Sequence, residues 1–326
     1  MSRMYSRSPV PSFLVAVFAA AAVFAGAVQA QTYPSKTIEW ISHTSAGSGT
    51  DLFNRNVSNL LEKEKIFNVP FIHSNRVGGS GVIAYNYLKN KKGDPYVVIA
   101  VAVSTILTQS ALPESGLGLD SVTPLIRMAQ DPQVVAVRTE SKFKTYKELT
   151  DAARDGGVVA GITSATGSGR MALFYIERDT GAKFKYVTFK GGGDAVLATL
   201  GGHVEVTTEN LSEMLPLVEG KKMRILAVTG ERRFKQVPDV PTLKELGYKT
   251  VIATGRGFGM PPGVPKAAAE TMEAALKRVY ESQAYKDYAD RNMFEDAYLG
   301  SADFAKALVV QRAEQVEFLK AVGIVK

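Results

Sequence analysis

Along the first third of the chain, the pattern of apolar and polar positions switches repeatedly between one typical of β-strands and one typical of α-helices. Residues 37–43, "TIEWISH", are rich in β-forming side chains, and residues 51–64 then carry apolar side chains at helical spacing. Strand patterns follow at 68–75 and 94–105, the second almost continuously apolar, with a turn and helix at 78–92 between them. Strands that alternate with helices predict an α/β fold built on a parallel sheet.

The same alternation restarts in the middle of the chain. Strand character at 123–141 is interrupted by Pro132, which predicts a break there. The elements predicted after it are a helix at 145–156, strands at 157–163 and 184–189, a helix at 170–181, a short helix that ends at Gly201, a strand at 222–230, and an irregular stretch at 232–247 that leads into a short helix.

The last part of the chain has a different pattern of apolar and polar residues. After the glycine-rich residues 255–265, "GRGFGMPPGVP", the pattern predicts helices only, with no strand between them. Two α/β units and a helical tail predict two lobes. We expect residues 31–130 and 254–326 to form lobe 1 and residues 131–253 to form lobe 2, with the ligand in the cleft between them.

The first thirty residues have the pattern of a secretory leader. Arg3 and Arg7 precede an apolar run, and "VQA" ends at Ala30 with the small residues that a signal peptidase requires. We therefore predict cleavage after Ala30, a mature chain that starts at Gln31, and export to the periplasm. The run is too short to span a bilayer, and the absence of cysteine excludes both a lipoprotein and disulfides.

The net charge of the chain is +7, and it falls to +5 if Arg3 and Arg7 leave with the leader. This mild excess of positive charge favours an anionic partner. Nucleic acid is not expected, because the basic residues are scattered and have little aromatic interleaving.

Two similar loops carry the main functional prediction. "TSAGSGTD" occupies Thr44 to Asp51, and "TSATGSGR" occupies Thr163 to Arg170. Each lies between a predicted strand and helix, where backbone N–H groups and the helix dipole favour an anion. Neither loop matches a nucleotide-binding motif, so a carboxylate held from two sides is the simpler interpretation.

Residue patterns typical of catalysis are scarce. The chain has no cysteine nucleophile and no G-x-S-x-G, and its three histidines have no metal-ligand spacing. We therefore expect no enzyme activity, no cofactor and no metal. His73 is expected to be structural and His203 exposed, whereas His43 precedes the first loop and either contacts ligand or fixes the loop backbone.

Six segments in order resemble the tripartite tricarboxylate transporter substrate-binding proteins, the periplasmic Bug receptors. The likeness runs over essentially the whole mature chain. The segments are the opening "YPSKTIEWISH", the loop "TSAGSGTD" that follows it, "NRVGGSGVIA", "DPQVVAVRTESKFKTYKELTDAAR", "YVTFKGGGDAVLATLGGHVEV" and "ILAVTGERRFKQVPDVPTLKELG".

The resemblance implies a two-lobed periplasmic binding protein of the Venus-flytrap, type II-like kind with a helical C-terminal tail. It implies a monomer that binds a di- or tricarboxylate or an aromatic acid and delivers it to the membrane subunits of a tripartite tricarboxylate transporter. Loop amides and hydroxyls would grip one carboxylate. The ligand-binding residues so implied are Ser45, Ala46, Gly47, Ser48, Gly49, Thr50, Asp51, Ser164, Ala165, Thr166, Gly167, Ser168, Gly169, Arg170, Lys190, Gly191, Glu209 and Asn210.

Some positions depart from the family, and other functions stay open. The usual P-G-G of the first loop is Ala46-Gly47-Ser48, and many members have a histidine where this chain has Arg170 or Met171. Arg170 either pairs with a second carboxylate or is solvated. The alternative functions are an exported hydrolase or transferase that uses the same cleft, and a receptor that serves a sensor kinase.

Overall fold

The computed structural model describes residues 33–189 and 192–326. The predicted leader and its cleavage site after Ala30 lie outside the described residues, as do Lys190 and Gly191. The strands are β1 (Ile38–Ser42), β2 (Phe71–Asn75), β3 (Val97–Ala102), β4 (Thr123–Arg138), β5 (Val158–Ile162), β6 (Phe184–Thr188), β7 (Val206–Asn210), β8 (Met223–Val228), β9 (Ala253–Met260) and β10 (Glu295–Gly300). The helices are α1 (Gly49–Lys63), α2 (Val82–Asn90), α3 (Val103–Ala111), α4 (Tyr146–Ala153), α5 (Ser168–Thr180), α6 (Gly192–Leu200), α7 (Leu211–Glu219), α8 (Lys266–Glu281), α9 (Gln283–Arg291) and α10 (Ser301–Ala321).

The strands form one mixed sheet in the order β2-β1-β3-β9-β4-β7-β5-β6, with β10 and β8 also paired to β4. β1 is parallel to β2 and β3, and β5 is parallel to β6 and β7. The α/β class is confirmed, and the expected parallel pairing is found within each group of strands, but the sheet as a whole is mixed. β4 and β9 are antiparallel to each other and to their neighbours, because β4 carries the chain across the sheet and β9 brings it back.

The predicted break at Pro132 is wrong, because β4 runs through it without interruption. Before this residue β4 pairs with β9 and β10, and after it β4 pairs with β7 and β8. The proline, which lacks an N–H, thus lies where the strand changes partners and little ladder hydrogen bonding is lost. We call β1, β2, β3, β9, β10 and the first half of β4 the first section of the sheet, and the remaining strands the second section.

The tail also differs from the prediction of helices only. β10 lies between α9 and α10 and pairs with β4, and the predicted short helix near residue 247 is a turn in which Gly247 has φ +92°. The glycine-rich stretch forms β9. A Cβ at Gly257 would overlap the Ile126 carbonyl oxygen, and one at Gly255 would lie 2.7 Å from Val103 Cγ2. The glycines thus permit the close approach of a neighbouring backbone at Gly257 and of a neighbouring side chain at Gly255.

Apolar clusters cover both faces of each section. In the first section Trp40 packs on one face with Phe53 and Phe258, while its neighbour Ile41 joins a cluster on the other face. In the second section Val135 of β4 joins the cluster on one face, and its neighbours Val134 and Ala136 join the cluster on the other face. No helix within the described residues is long and apolar enough to cross a membrane.

Candidate ligand-binding cleft

Both predicted loops open into one cleft of about 1010 Å³ between the two sections of the sheet. Loop 1, residues 44–48, follows β1 and precedes α1, and loop 2, residues 163–167, follows β5 and precedes α5. They therefore lie at carboxyl ends of parallel strands, where open α/β sheets bind ligands. The predicted residues that line the cleft are Ser45, Ala46, Gly47, Ser48, Gly49, Thr50, Ser164, Thr166, Gly167, Ser168, Glu209 and Asn210.

Four predicted residues do not line the cleft: Asp51, Ala165, Gly169 and Arg170. The Arg170 guanidinium stacks on Tyr186, 4.1 Å from the ring centroid, and its Nη1 lies 3.4 Å from Glu177 Oε2. With a side chain only 14% exposed, it is neither solvated nor turned toward the cleft. Lys190 and Gly191 lie outside the described residues.

Asp51, which does not line the cleft, fixes the backbone of loop 1 through hydrogen bonds. Its carboxylate accepts hydrogen bonds from the Gly47 N–H at 2.9 Å, from Asn75 Nδ2 at 2.8 Å and from Arg55 Nε at 2.9 Å. Burial alone would raise the pKa of Asp51, but these hydrogen bonds outweigh it and hold the pKa below its ordinary value. Asn75 Nδ2 also donates to the Thr44 carbonyl at 2.9 Å, so the network sets the loop shape.

Loop 2 is held by residues of α3 and α10, two helices that pack on the first section of the sheet. The carbonyl oxygen of Thr166 accepts hydrogen bonds from Thr108 Oγ1 on α3 and from Gln315 Nε2 on α10, both at 3.1 Å. Gln315 also donates to Thr108 Oγ1, and its side chain is buried. These bonds join loop 2 to the opposite side of the cleft.

Helices α1 and α5 both begin at the cleft. Their N-cap residues, Ser48 and Gly167, make no side-chain capping bond within the described residues. The Gly49 N–H at the start of α1 already donates to the Glu213 carboxylate. The other N–H groups of the two first turns have no partner within their own helix and can serve a bound group, and the positive end of the helix dipole favours an anion there. Hydroxyl groups of Ser164, Thr166 and Ser168 lie beside them.

A buried ion pair lies behind residues that line the cleft. Arg256 of β9 donates through Nε and Nη2 to Asp131 of β4, and the Nε bond is 3.1 Å long. Arg256 Nη1 also donates to Thr50 Oγ1 at 3.1 Å, and Asp131 accepts from Ser212 Oγ at 2.7 Å. The pair therefore contacts the first turns of both α1 and α7.

Two glutamates face the cleft from the second section. Glu209, at the end of β7, is 7% exposed, and burial and the charge of Glu213 raise its pKa to about 8. Burial also raises the pKa of Glu213, although the Arg256 charge and the Gly49 N–H oppose this. Asn210 lines the cleft too and donates from Nδ2 to the Asp131 carbonyl at 2.9 Å.

His43 lines the cleft and is buried. Its Nε2 lies 3.1 Å from Thr105 Oγ1, while Nδ1 has no partner within the described residues. Burial, and secondarily the charge of Arg256, lower its pKa to about 4, so the ring is neutral at pH 7. His203 is exposed, and His73 bonds through Nε2 to Ser58 Oγ at 2.7 Å outside the cleft lining.

Sequence reasoning missed Arg256, Asp131, Glu213 and Gln315. An arginine within a glycine-rich stretch was a usable clue, because "GRGFG" combines a charge with close backbone packing. The spacing of Glu209 and Glu213 gave no such clue, since one lies on a strand and the other on a helix that was not predicted.

A model of the family described as tripartite tricarboxylate transporter family receptors matches residues 55–324. Protein BugT of Bordetella pertussis is 27% identical over 74% of this chain and 75% of its own length. A solved TctC solute binding protein from Polaromonas is 29% identical, with a TM-score of 0.71 over 89% of this chain and 100% of that chain. A solved R. palustris protein with adipate has a TM-score of 0.81 at 22% identity, over 89% of this chain and 98% of that chain, a likeness of fold.

Proposed function

Because this chain belongs to the tripartite tricarboxylate transporter family receptors, we propose that it binds a small organic carboxylate between two lobes. It then delivers this ligand to the membrane subunits of a tripartite tricarboxylate transporter. The observation that carries the proposal is that two helices, α1 and α5, begin at one cleft, and within the described residues neither has a side-chain capping bond from its N-cap residue. Neutral N–H and hydroxyl donors can bind a carboxylate there without a cationic side chain.

The mechanism is closure of lobe 1 (31–130 and 254–326) on lobe 2 (131–253). β4 and β9 cross between the two sections near Asp131 and Ala253, which supports a hinge at these strands. A carboxylate held by loop 1 recruits loop 2 and shifts the equilibrium toward the closed form by its difference in affinity for the two forms. The protein acts as a monomer in the periplasm and catalyses no reaction.

Calorimetric titration and thermal shift test the proposal. Adipate is a first probe, because a protein of similar fold was solved with it; succinate, citrate and benzoate extend the set, and ATP and glucose are the controls. Ligand at 100 times its dissociation constant adds about 2.7 kcal/mol to the free energy of unfolding, which a thermal shift resolves. Stabilisation by ATP or glucose, with none by any carboxylate, contradicts the proposed function.

Export has a separate test. The intact mass of the protein recovered from the periplasm should correspond to a chain that starts at Gln31 and carries no lipid. A retained leader contradicts the proposed processing.

A further inference from the structure

Glu209 carries a buried carboxyl oxygen for which the described part of the chain supplies no hydrogen-bond partner. The residue is 7% exposed, lines the cleft, and its Oε1 is unpartnered within the described residues. Buried polar atoms in native proteins are nearly always paired, and an unpaired buried carboxylate is costly. This oxygen therefore calls for a hydrogen-bond donor that enters the cleft.

Glu213 places a second carboxyl next to the first. The position that a Cβ of Gly192 would take is 2.8 Å from Glu209 Oε2 and 3.3 Å from Glu213 Oε2. Glu213 also approaches Gly49 at the start of α1, and its side chain retains 37% exposure. The two carboxyl groups thus form one acceptor-rich wall that begins beside loop 1.

Among the residues that the structure describes, the cation that approaches this wall, Arg256, is already neutralised. Arg256 makes its close contacts with Asp131, while its Nη2 lies 3.9 Å from Glu213 Oε1. His43 is neutral at pH 7, so among the described lining residues Glu209 and Glu213 are the groups that can carry charge, and that charge is negative. A ligand that carries only negative charge would be repelled at this wall, whereas a cation would be attracted.

We propose that Glu209 and Glu213 bind a protonated nitrogen of the ligand, so that the receptor selects organic acids that carry an ammonium group at some distance from the carboxylate. This inference rests on the proposed function, in which the two loops hold the carboxylate. The nitrogen then lies at the wall formed by Glu209 and Glu213, where it supplies the donor that Glu209 Oε1 does not find among residues 33–189 and 192–326. Binding of the cation also favours loss of the proton that burial otherwise keeps on Glu209.

Matched ligand pairs test the proposal. β-Alanine, 4-aminobutyrate, 5-aminovalerate and 6-aminohexanoate are titrated by calorimetry at pH 7 against malonate, succinate, glutarate and adipate. Each pair has the same number of carbons and differs in whether the far end is an ammonium or a carboxylate. At least one amino acid should bind tenfold or more tightly than its dicarboxylate partner.

Isosteric variants assign the effect to the glutamates. Glu209→Gln and Glu213→Gln keep the shape of the side chain and remove its charge. Each should weaken binding of the preferred amino acid at least tenfold and leave the dicarboxylate unchanged or tighter. Glu219→Gln, at the exposed end of the same helix α7, is the matched control and should change neither. Melting temperatures confirm that each variant is folded.

The outcomes separate this inference from the proposed function. If dicarboxylates bind and no amino acid does, the ammonium site is wrong and the carboxylate receptor stands. If amino acids bind but Glu209→Gln has no effect on them, or weakens both series equally, the assignment to this wall is wrong. Binding of neither series, nor of the other carboxylates, removes the proposed function and this inference with it.

Discussion

Arg256 and Asp131 join the two strands that cross between the sections of the sheet. Their side chains are 3% and 0% exposed, and the guanidinium donates two hydrogen bonds to one carboxylate oxygen. Because the pair also contacts Thr50 and Ser212, it ties both sides of the cleft to the crossing strands.

We expect Arg256→Met to lower the free energy of unfolding by about 3 to 5 kcal/mol, because it leaves the Asp131 carboxylate buried and uncompensated. The double variant Arg256→Met with Asp131→Leu should recover much of this loss. Urea unfolding at pH 7 measures both. Lys266→Met removes an exposed partner of Glu270 (side chains 88% and 62% exposed) and should cost under about 1 kcal/mol. If Arg256→Met lowers the free energy of unfolding as little as Lys266→Met does, the proposed stabilising role of the Arg256–Asp131 pair is wrong.

The free energy of unfolding should depend on the protonation of Glu209. Its pKa in the folded protein is about 8 against an ordinary value of 4.5, so the folded state holds the proton more tightly than the unfolded state. The resulting stabilisation is fully present below pH 4.5 and is lost as the pH rises through 8. Glu209→Gln mimics the neutral form and lacks this pH dependence. Its free energy of unfolding, relative to that of the wild type, should therefore rise by on the order of 4 kcal/mol between pH 4.5 and pH 9.

Chemical unfolding at several pH values measures this difference. Glu140→Gln removes an exposed carboxyl and should follow the wild type at every pH. The expected pH dependence of Glu209 is wrong if the two variants behave alike.

Elements whose pattern is local were predictable from the sequence. The apolar run of β3 and the helical spacing in α1 placed these elements correctly, and Gly181 ends α5 in a left-handed conformation as its position indicated. β9 and β10 were not predictable, because their strand conformation depends on pairing with β4. The glycines of β9 look like a loop until the Ile126 carbonyl that crowds Gly257 is known.

The candidate site also contains a part that local sequence predicts and a part that it does not. The repeated Gly/Ser strings identified both loops, since each string combines the turn and the start of a helix. The residues that position or charge the cleft come from distant parts of the chain. Gln315 lies 149 residues from the Thr166 carbonyl that it binds, and Arg256 lies 125 residues from Asp131. The orientation of Arg170 depends on Tyr186 of β6, which its own loop does not reveal.

Gln315 should contribute to ligand affinity although it does not line the cleft. Gln315→Ala removes one of the two donors that hold the Thr166 carbonyl to the first section, so the form with loop 2 in place becomes less favourable. We expect a loss of about 1 kcal/mol in binding, or roughly a fivefold weaker Kd. Calorimetry with the tightest carboxylate measures it. Glu314→Ala, the exposed neighbour on α10, is the control, and an equal effect of both variants would exclude a role for this bond.

Gly49 tests whether the start of α1 binds the carboxylate or whether the positive charge of the protein does. A Cβ at Gly49 would lie 3.0 Å from Arg256 Nη2 and would overlap the end of the flexible Glu213 side chain, so the fold should adjust. Gly49→Val should nevertheless block approach to the N–H donors and weaken carboxylate binding by about 2 to 3 kcal/mol. The double variant Lys91→Gln, Lys92→Gln removes two charges outside the cleft lining, where salt screens them, and should leave affinity unchanged. Calorimetric titration with the same acid compares the two. A lysine variant that weakens binding as strongly as the valine would show that general charge, and not the loop backbone, holds the ligand.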